Sequence, residues 1–210
     1  MINEFDRIYE QGRWGETFSS GPGSHWPPLV NAYVDCVKNF LKEKSNIKTN
    51  IIIDIGCGDF NVGQNFMGHC HQYIGIDVSS KIIKKNQLQY KSERLSFVQI
   101  DACTQTIPKG NIVFLRQVLQ HLDNQSISSL LSNLSSNTYE WLIVTEHIPS
   151  KPYVANLEHT GKRHQTRLNI DSGIVIDLEP FLYQYSCKIA LLSYYGFGGI
   201  IKTYAYKPTN

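Results

Sequence analysis

The sequence predicts an α/β fold with a seven-stranded, mostly parallel sheet, helices on both faces and a C-terminal antiparallel hairpin. Apolar runs of strand length alternate with longer segments of helical period, which is typical of this fold class. The first five runs are almost continuously apolar, as parallel strands buried on both faces are. With 210 residues, of which 41% are hydrophobic, the chain can bury a sizeable core. We therefore expect a single domain over residues 1–210.

The predicted strands fall into two groups. Five of them alternate with helical segments, and the last two are joined by a short glycine turn of sequence GFGG, which indicates a hairpin. In chain order the strands are predicted at residues 50–56, 72–77, 95–101, 111–117, 140–147, 187–196 and 199–208.

Two segments have clear helical periodicity. Residues 124–136 repeat apolar side chains at helical spacing after a cap at Asp123 or Asn124. Residues 29–44 place five apolar side chains on one stripe, which we expect to pack on the sheet: Val30, Tyr33, Val34, Val37 and Leu41.

Two segments lack a sustained period. Residues 148–180 contain three prolines and form a long loop, and a loop of this length in a compact domain is usually functional or mobile. We expect it to cover a substrate. Residues 1–28 form an arm rich in glycine, proline and aromatic residues, including Trp14. Because aromatic side chains carry much apolar area, we favour a lid over the site rather than a solvated surface arm.

Composition restricts the classes of partner. The chain has 20 Lys and Arg against 18 Asp and Glu, so no nucleic-acid partner is expected and a small or weakly charged one is favoured. Five scattered cysteines without CxxC pairs indicate reduced thiols. No apolar run has the length of a membrane span, so we expect a cytoplasmic protein without membrane contact. The HCH triplet at residues 69–71 lacks a second ligand pair, so no metal is expected.

The sequence IIIDIGCGDFN at residues 51–61 ends a predicted strand with an acid and a glycine pair. Gly56 and Gly58 lack Cβ atoms, so the backbone can turn sharply and approach a ligand closely. Asp77 ends the next strand and is positioned to accept hydrogen bonds from ribose hydroxyls. A dinucleotide fingerprint would require glycine at Asn61, so the pattern favours a different nucleoside cofactor.

These residues resemble the first motif of the class I S-adenosylmethionine-dependent methyltransferases, which have a Rossmann-like fold. Asp54 begins the matching acid-x-Gly-x-Gly pattern, Asp77 matches the ribose-binding acid, and Asp101 matches the residue that usually meets the adenine amine. The resemblance implies S-adenosylmethionine as cofactor. It also implies that Arg116 and Gln117, after the fourth strand, line the cofactor site.

The chain departs from the family pattern at Phe60, which replaces the common third glycine, although Gly63 nearby could relieve crowding. The CGDF motif and the N-terminal WG…SGPGS element resemble a subgroup of bacterial and viral small-molecule or glycan methyltransferases. In this chain the element comprises Trp14, Gly15 and residues 20–24. It is expected to close over the cofactor or acceptor, with Trp14 contributing to the cofactor site.

The reaction requires an aligned acceptor, and a hydroxyl acceptor also benefits from a base. His121, Glu146 and His147 follow strands whose ends should face the cofactor, and they are the catalytic candidates. By analogy with the fold we favour His121 slightly. His164 and Arg167, in the long loop, are candidates for binding the substrate.

The expected function is therefore O-methylation of a small polar acceptor such as a sugar or glycan unit. Two alternatives remain open: an RNA or protein methyltransferase, and a noncatalytic protein that binds S-adenosylmethionine. The lack of a basic stripe disfavours RNA. The sequence does not indicate an oligomeric state.

Overall fold

A computed structural model describes residues 4–159 and 161–209 of the chain. The sheet has seven strands in the order β3-β2-β1-β4-β5-β7-β6. The first five strands run parallel, and β7 lies antiparallel between β5 and β6. The strands are β1 (Ile51–Ile55), β2 (Gln72–Asp77), β3 (Leu95–Gln99), β4 (Ile112–Arg116), β5 (Trp141–Pro149), β6 (Tyr185–Gly196) and β7 (Gly199–Pro208).

Helices cover both faces of the sheet and produce two cores. The helices are α1 (Glu4–Glu10), α2 (Pro22–His25), α3 (Pro27–Lys44), α4 (Ser80–Gln89) and α5 (Asn124–Ser135). On one face, α3 and α4 pack against a core that includes Ile52 and Phe114. On the other face, α5 packs against a core that includes Ile53 and Leu115. The alternation of side chains along each strand thus supplies both cores.

The predicted fold class, all seven strands and both predicted helices are confirmed. The five residues of the predicted α3 stripe are all buried. Asp123 is the N-cap of α5, and its Oδ1 accepts a hydrogen bond of 2.7 Å from the backbone N–H of Ser126. Such caps stabilise helices by about 1 kcal/mol.

The segment predicted as a long loop is largely irregular. Strand β5 extends to Pro149, and a short 3₁₀ helix covers Arg167–Ile170. Residue 160 of this segment and residues 1–3 of the arm lie outside the described residues.

Phe60 stands where the family pattern has a glycine, and it adopts a backbone conformation that favours glycine. Its φ is 63°, in the left-handed region that bulky residues rarely adopt. The ring is buried and makes edge-to-face contacts with Tyr73, Tyr90 and Phe97, at centroid distances of 5.2, 5.0 and 4.9 Å. Aromatic packing therefore compensates for a strained backbone.

Gly63 makes room for this ring, as anticipated. A Cβ atom at Gly63 would lie 2.5 Å from the Phe60 ring and 2.7 Å from the Tyr73 hydroxyl, whereas a Cβ at Gly68 would meet nothing within 4 Å. We expect Gly63→Ala to lower the free energy of unfolding by about 1–3 kcal/mol through overpacking. Gly68→Ala is the matched control, because both glycines lie in the 3₁₀ helix Gly63–His69, and it should leave the free energy of unfolding nearly unchanged or slightly raise it. Urea unfolding measures both, and equal values for the two variants would contradict this account.

Candidate active site

A cavity of about 620 Å³ lies at the carboxyl ends of the parallel strands, between the N-terminal arm and the sheet. This edge is where open α/β sheets bind ligands. Ten of the residues singled out from the sequence line it: Trp14, Asp54, Gly56, Asp77, Asp101, Arg116, Gln117, His121, His147 and His164. Its size is that of a typical site for a small molecule.

Asp77 is a buried carboxylate that holds the glycine loop, which is the turn of residues 56–59 after β1. Its Oδ2 accepts a hydrogen bond of 3.1 Å from the backbone N–H of Gly58, and its Oδ1 accepts one of 2.9 Å from Ser79. Burial raises the pKa of Asp77 to about 6. An ionised carboxylate offers about four lone-pair sites, so it can still accept hydrogen bonds from a ribose diol. Gly58 is not among the described residues that line the cavity and instead braces Asp77.

Asp54 and Arg116 form a polar pair at the ends of the adjacent strands β1 and β4. The Tyr73 hydroxyl donates a 2.7 Å hydrogen bond to Asp54, and burial raises the pKa of Asp54 to about 6. The Arg116 guanidinium donates to the Gly23 carbonyl at 2.6 Å and to the Ser24 hydroxyl at 3.0 Å.

The Nε of Arg116 is buried and has no hydrogen-bond partner among the described residues. An unsatisfied donor on a buried cation favours an anionic ligand group. The wall therefore fits the amino-acid end of S-adenosylmethionine: Arg116 would hold its carboxylate and Asp54 its ammonium group. Asp77 and Asp101 would hold the nucleoside.

Asp101 and Gln117 also lie at strand ends in the cavity wall. Oδ1 of Asp101 accepts a 3.0 Å hydrogen bond from the backbone N–H of Cys103, which orients the carboxylate. Gln117 has a φ of 55°, and its backbone N–H donates a 2.6 Å hydrogen bond to the Thr145 carbonyl. This left-handed residue turns the chain out of β4 toward the cavity.

Three histidines line the cavity, and two of them, His121 and His147, each have one ring nitrogen directed at a backbone carbonyl. Nδ1 of His121 lies 3.3 Å from the Gln165 oxygen, and Nε2 of His147 lies 3.2 Å from the Gly196 oxygen. Because a carbonyl only accepts, these nitrogens carry the proton, and the opposite nitrogen of each ring holds a lone pair. Burial lowers the pKa of both rings, that of His121 to about 4. Both are therefore neutral at physiological pH.

Glu146 and Arg167 do not line the cavity, which corrects the roles expected for them. Glu146 is buried and accepts hydrogen bonds from the backbone N–H groups of Leu119 (3.0 Å) and Gln120 (3.1 Å). Burial raises its pKa to about 8. The guanidinium of Arg167 is buried and donates to the carbonyls of Leu157 and Leu122. Both side chains brace the loops behind the site.

The N-terminal arm forms the roof of the cavity. The Trp14 indole N–H donates a 3.0 Å hydrogen bond to the His164 carbonyl, and its ring lies 5.2 Å from the His121 ring. Arm and glycine loop are joined by reciprocal 2.9 Å hydrogen bonds: Ser20 N–H to Asp59 Oδ2, and Asp59 N–H to Ser20 Oγ. The role of Asp59 was not anticipated, because nothing in the sequence identifies its partner 39 residues away.

Two further features concern ligands and membranes. Within residues 4–159 and 161–209, no three side chains of the metal-binding types come together as a site for an ion. In the same part of the chain, no helix combines the length and apolar character that crossing a membrane requires.

Comparison with known proteins finds a sequence match to one domain in part of the chain. Residues 52–138 match the family model of the methyltransferase domain. No curated protein matched the chain by sequence.

Many solved structures share the fold. Magnesium protoporphyrin IX methyltransferase from Synechocystis PCC 6803, with bound S-adenosylmethionine, is 16% identical over 86% of this chain and 81% of its own, with a TM-score of 0.57. The N-methyltransferase NodS from Bradyrhizobium japonicum WM9, in complex with S-adenosyl-L-homocysteine, is 11% identical over 86% and 88%, with a TM-score of 0.62. Human N-acetylserotonin methyltransferase is 14% identical over 99% and 59%, with a TM-score of 0.65.

At these identities the structural likeness establishes the fold. The match of residues 52–138 to a methyltransferase domain, together with this fold, supports an S-adenosylmethionine-dependent methyltransferase whose cofactor is S-adenosylmethionine.

We expect Asp77→Ala to weaken binding of both S-adenosylmethionine and S-adenosyl-L-homocysteine roughly 10- to 100-fold. The reason is the loss of a charge-assisted hydrogen bond to the ribose, worth about 1.5–3 kcal/mol. Titration calorimetry measures the affinities. A melting curve of the free variant checks that the loop survives without its brace to Gly58. Equal affinity for wild type and a folded variant would remove Asp77 from the cofactor site.

Proposed function

We propose that this protein O-methylates a small polar acceptor, most consistently a sugar or glycan unit. The observation that carries the proposal is a roofed cavity in which cofactor-binding acids and two neutral histidines, His121 and His147, share one wall. A roofed cavity suits a small acceptor better than a macromolecule. The near-even charge of the chain supports an acceptor without many phosphates.

The CGDF motif and the arm support the same proposal. The arm element contacts the glycine loop through Ser20 and Asp59, so the two parts of the sequence signature form one structural unit. This contact supports our proposal that the chain belongs to the small-molecule or glycan subgroup. The structural neighbours are named for a porphyrin, for N-methylation and for N-acetylserotonin, so the acceptor must be argued from the cavity itself.

The chain has three tasks in this reaction. S-adenosylmethionine supplies a methyl group that its sulfonium already activates. Asp77 and Arg116 would hold the two ends of the cofactor, so its orientation would be fixed before the acceptor arrives. The roof, including Trp14, would exclude water. A neutral histidine would accept the proton that the acceptor hydroxyl loses when the methyl group passes from sulfur to the hydroxyl oxygen, which leaves the sulfur as the neutral thioether of S-adenosyl-L-homocysteine.

His121 and His147 offer this lone pair in different settings. The Nε2 of His121 lies 3.2 Å from the Gln120 side-chain amide, which an acceptor hydroxyl would have to displace. His147 offers Nδ1, because Nε2 is bonded to the Gly196 carbonyl. Both rings thus have one nitrogen fixed and the other able to accept a proton.

Replacing the histidine that acts as the general base, His121 or His147, by alanine should reduce the rate of single-turnover methyl transfer about 10²–10⁴-fold, because a general base contributes that much. Affinity for S-adenosylmethionine should stay nearly unchanged. If His121 is the base, its depressed pKa places the loss of the single-turnover rate at saturating S-adenosylmethionine near pH 4, since a base fails when protonated.

His159→Ala is the matched control. The Nε2 of His159 bonds to the same Gln165 carbonyl at 3.1 Å, but the ring is not among the described residues that line the cavity. If both His121→Ala and His147→Ala keep the wild-type rate, neither histidine is the base. Catalysis would then rest only on positioning the acceptor against the methyl group.

We also propose that the arm is a lid. Ser20→Ala removes the hydroxyl that accepts from Asp59, so the arm should open more often and trypsin should cleave after the exposed Arg13 several-fold faster. Thr17→Ala, on an exposed part of the same arm, is the control. Saturating S-adenosyl-L-homocysteine should slow cleavage of the wild type. Cleavage that is unaffected by ligand and by Ser20→Ala would make the arm a static wall.

A further inference from the structure

The turn between β6 and β7 contains a strained aromatic residue. Gly196 pairs with Gly199, so Phe197 and Gly198 form a two-residue turn, with φ values of 52° and 80°. Two left-handed residues define the type I′ hairpin turn, whose first position favours Asn, Asp or Gly. Phenylalanine is a poor choice there on conformational grounds. Strain of this kind often marks a functional position.

Core packing does not account for the Phe197 ring. The side chain is 45% exposed and its residue lines the cavity. A ring in this position covers part of the entrance to the site without gaining the full stability of burial. A ligand that stacks on the ring would remove its exposed apolar surface from water.

A second half-exposed ring stands on the arm. Trp26 precedes Pro27 and Pro28 at the start of α3, in the extended conformation that a following proline favours. Its indole N–H donates a 3.0 Å hydrogen bond to the Tyr194 hydroxyl on β6, yet the residue remains 49% exposed. We call Trp26, Tyr194 and Phe197 the aromatic mouth.

The aromatic mouth is joined to the candidate base. Gly196, between Tyr194 and Phe197, accepts the hydrogen bond from Nε2 of His147 through its carbonyl. A ligand at the mouth would therefore lie beside the group that would receive the acceptor's proton.

The sequence around the aromatic mouth carries almost no charge. Residues 17–34 and 189–201 contain no Lys, Arg, Asp or Glu, and His25 is paired with Asp59 at 2.6 Å. Proteins that stack nucleic-acid bases on aromatic rings combine them with a positive groove for the phosphates. A neutral ring with an apolar C–H face and hydroxyl edges fits this surface better, because the aromatic rings offer apolar faces and polar edges.

We propose that the aromatic mouth binds a pyranose ring next to the sugar unit that is methylated. The acceptor is then an oligosaccharide or glycoside rather than a free monosaccharide. This inference rests on the proposed function and names the part of the protein that selects the acceptor.

The test uses Phe197→Asn and Trp26→Ser, because each replacement suits its backbone position. Asn-Gly is the preferred type I′ turn, and Ser is a favoured helix N-cap, so neither variant should lower the melting temperature. Tyr195→Ala is the matched control: Tyr195 is 75% exposed and follows Tyr194, so its side chain points to the opposite face of β6.

The probes are monosaccharides and tetrasaccharides of glucose, galactose, mannose and N-acetylglucosamine, titrated into wild type and variants loaded with S-adenosyl-L-homocysteine. At least one tetrasaccharide should bind more tightly than its monosaccharide. Phe197→Asn and Trp26→Ser should each weaken that binding roughly 3- to 10-fold, as expected for one lost stacking contact. Tyr195→Ala should not. In methyl transfer the two variants should raise KM for the tetrasaccharide and leave kcat unchanged.

Other outcomes separate this inference from the proposed function. If wild type methylates saccharides but both variants keep its KM and affinity, the aromatic mouth has no such role, while the proposed function stands. If the protein methylates only hydroxyl compounds that are not sugars, the inference about the aromatic mouth and the proposed function are both wrong about the sugar acceptor. Tighter binding of a uridine tetranucleotide than of every saccharide, lost in the same variants, would overturn the inference in favour of nucleic acid.

Discussion

Three buried carboxylates around one glycine loop are the constraint on which the site depends. Asp54, Asp59 and Asp77 are each less than one-tenth exposed, and between them they tie the loop to Tyr73, to the arm and to the start of α4. Removing a carboxylate from water is costly unless donors surround it. The loop and its neighbours supply those donors, so the acids can serve both as braces and as ligands for a cofactor that carries positive charge.

The parallel sheet makes this concentration of acids possible. Strands β1 and β2 are neighbours in register, with Asp54 paired to Gly75 and Ile55 to Ile76, so their ends bring Asp54 and Asp77 to one edge. Mutual repulsion adds to burial in raising the pKa of Asp54. A sulfonium and an ammonium group arriving at this edge would relieve that repulsion. The apo site is thus electrostatically prepared for a cationic ligand rather than for a pyrophosphate.

The fold could be predicted because its signals are local. Apolar runs define the strands, and the α3 stripe and the Asp123 cap define two helices. By contrast, α4 was not anticipated, because in its sequence SKIIKKNQLQ only Ile82, Ile83 and Asn86 are buried, too few to reveal a helical period. Residues at strand ends could likewise be assigned to the site. Asp77 and His147 were assigned in this way, and both line the cavity.

Features that depend on distant partners could not be predicted in this way. Glu146 alternates along β5 with His147, and only the folded chain shows that its side chain faces the backbone of residues 119 and 120 rather than the cavity. Arg167 is directed by carbonyls that are 10 and 45 residues away. The reciprocal bonds between Ser20 and Asp59 have the same origin. Spacing along the chain carries no record of such contacts.

The roof formed by the arm has a kinetic consequence. Trp14 and residues 20–24 cover the same cavity that contains Asp77 and Asp101, so a nucleoside held by these two acids would lie beneath the arm. If the arm is the lid proposed above, the cofactor would enter while the arm is raised, and S-adenosyl-L-homocysteine would leave only after the arm lifts again. Turnover would then be ordered, with S-adenosylmethionine binding first and S-adenosyl-L-homocysteine leaving last. The hydrogen bonds that hold the arm closed would then limit the rate of product release.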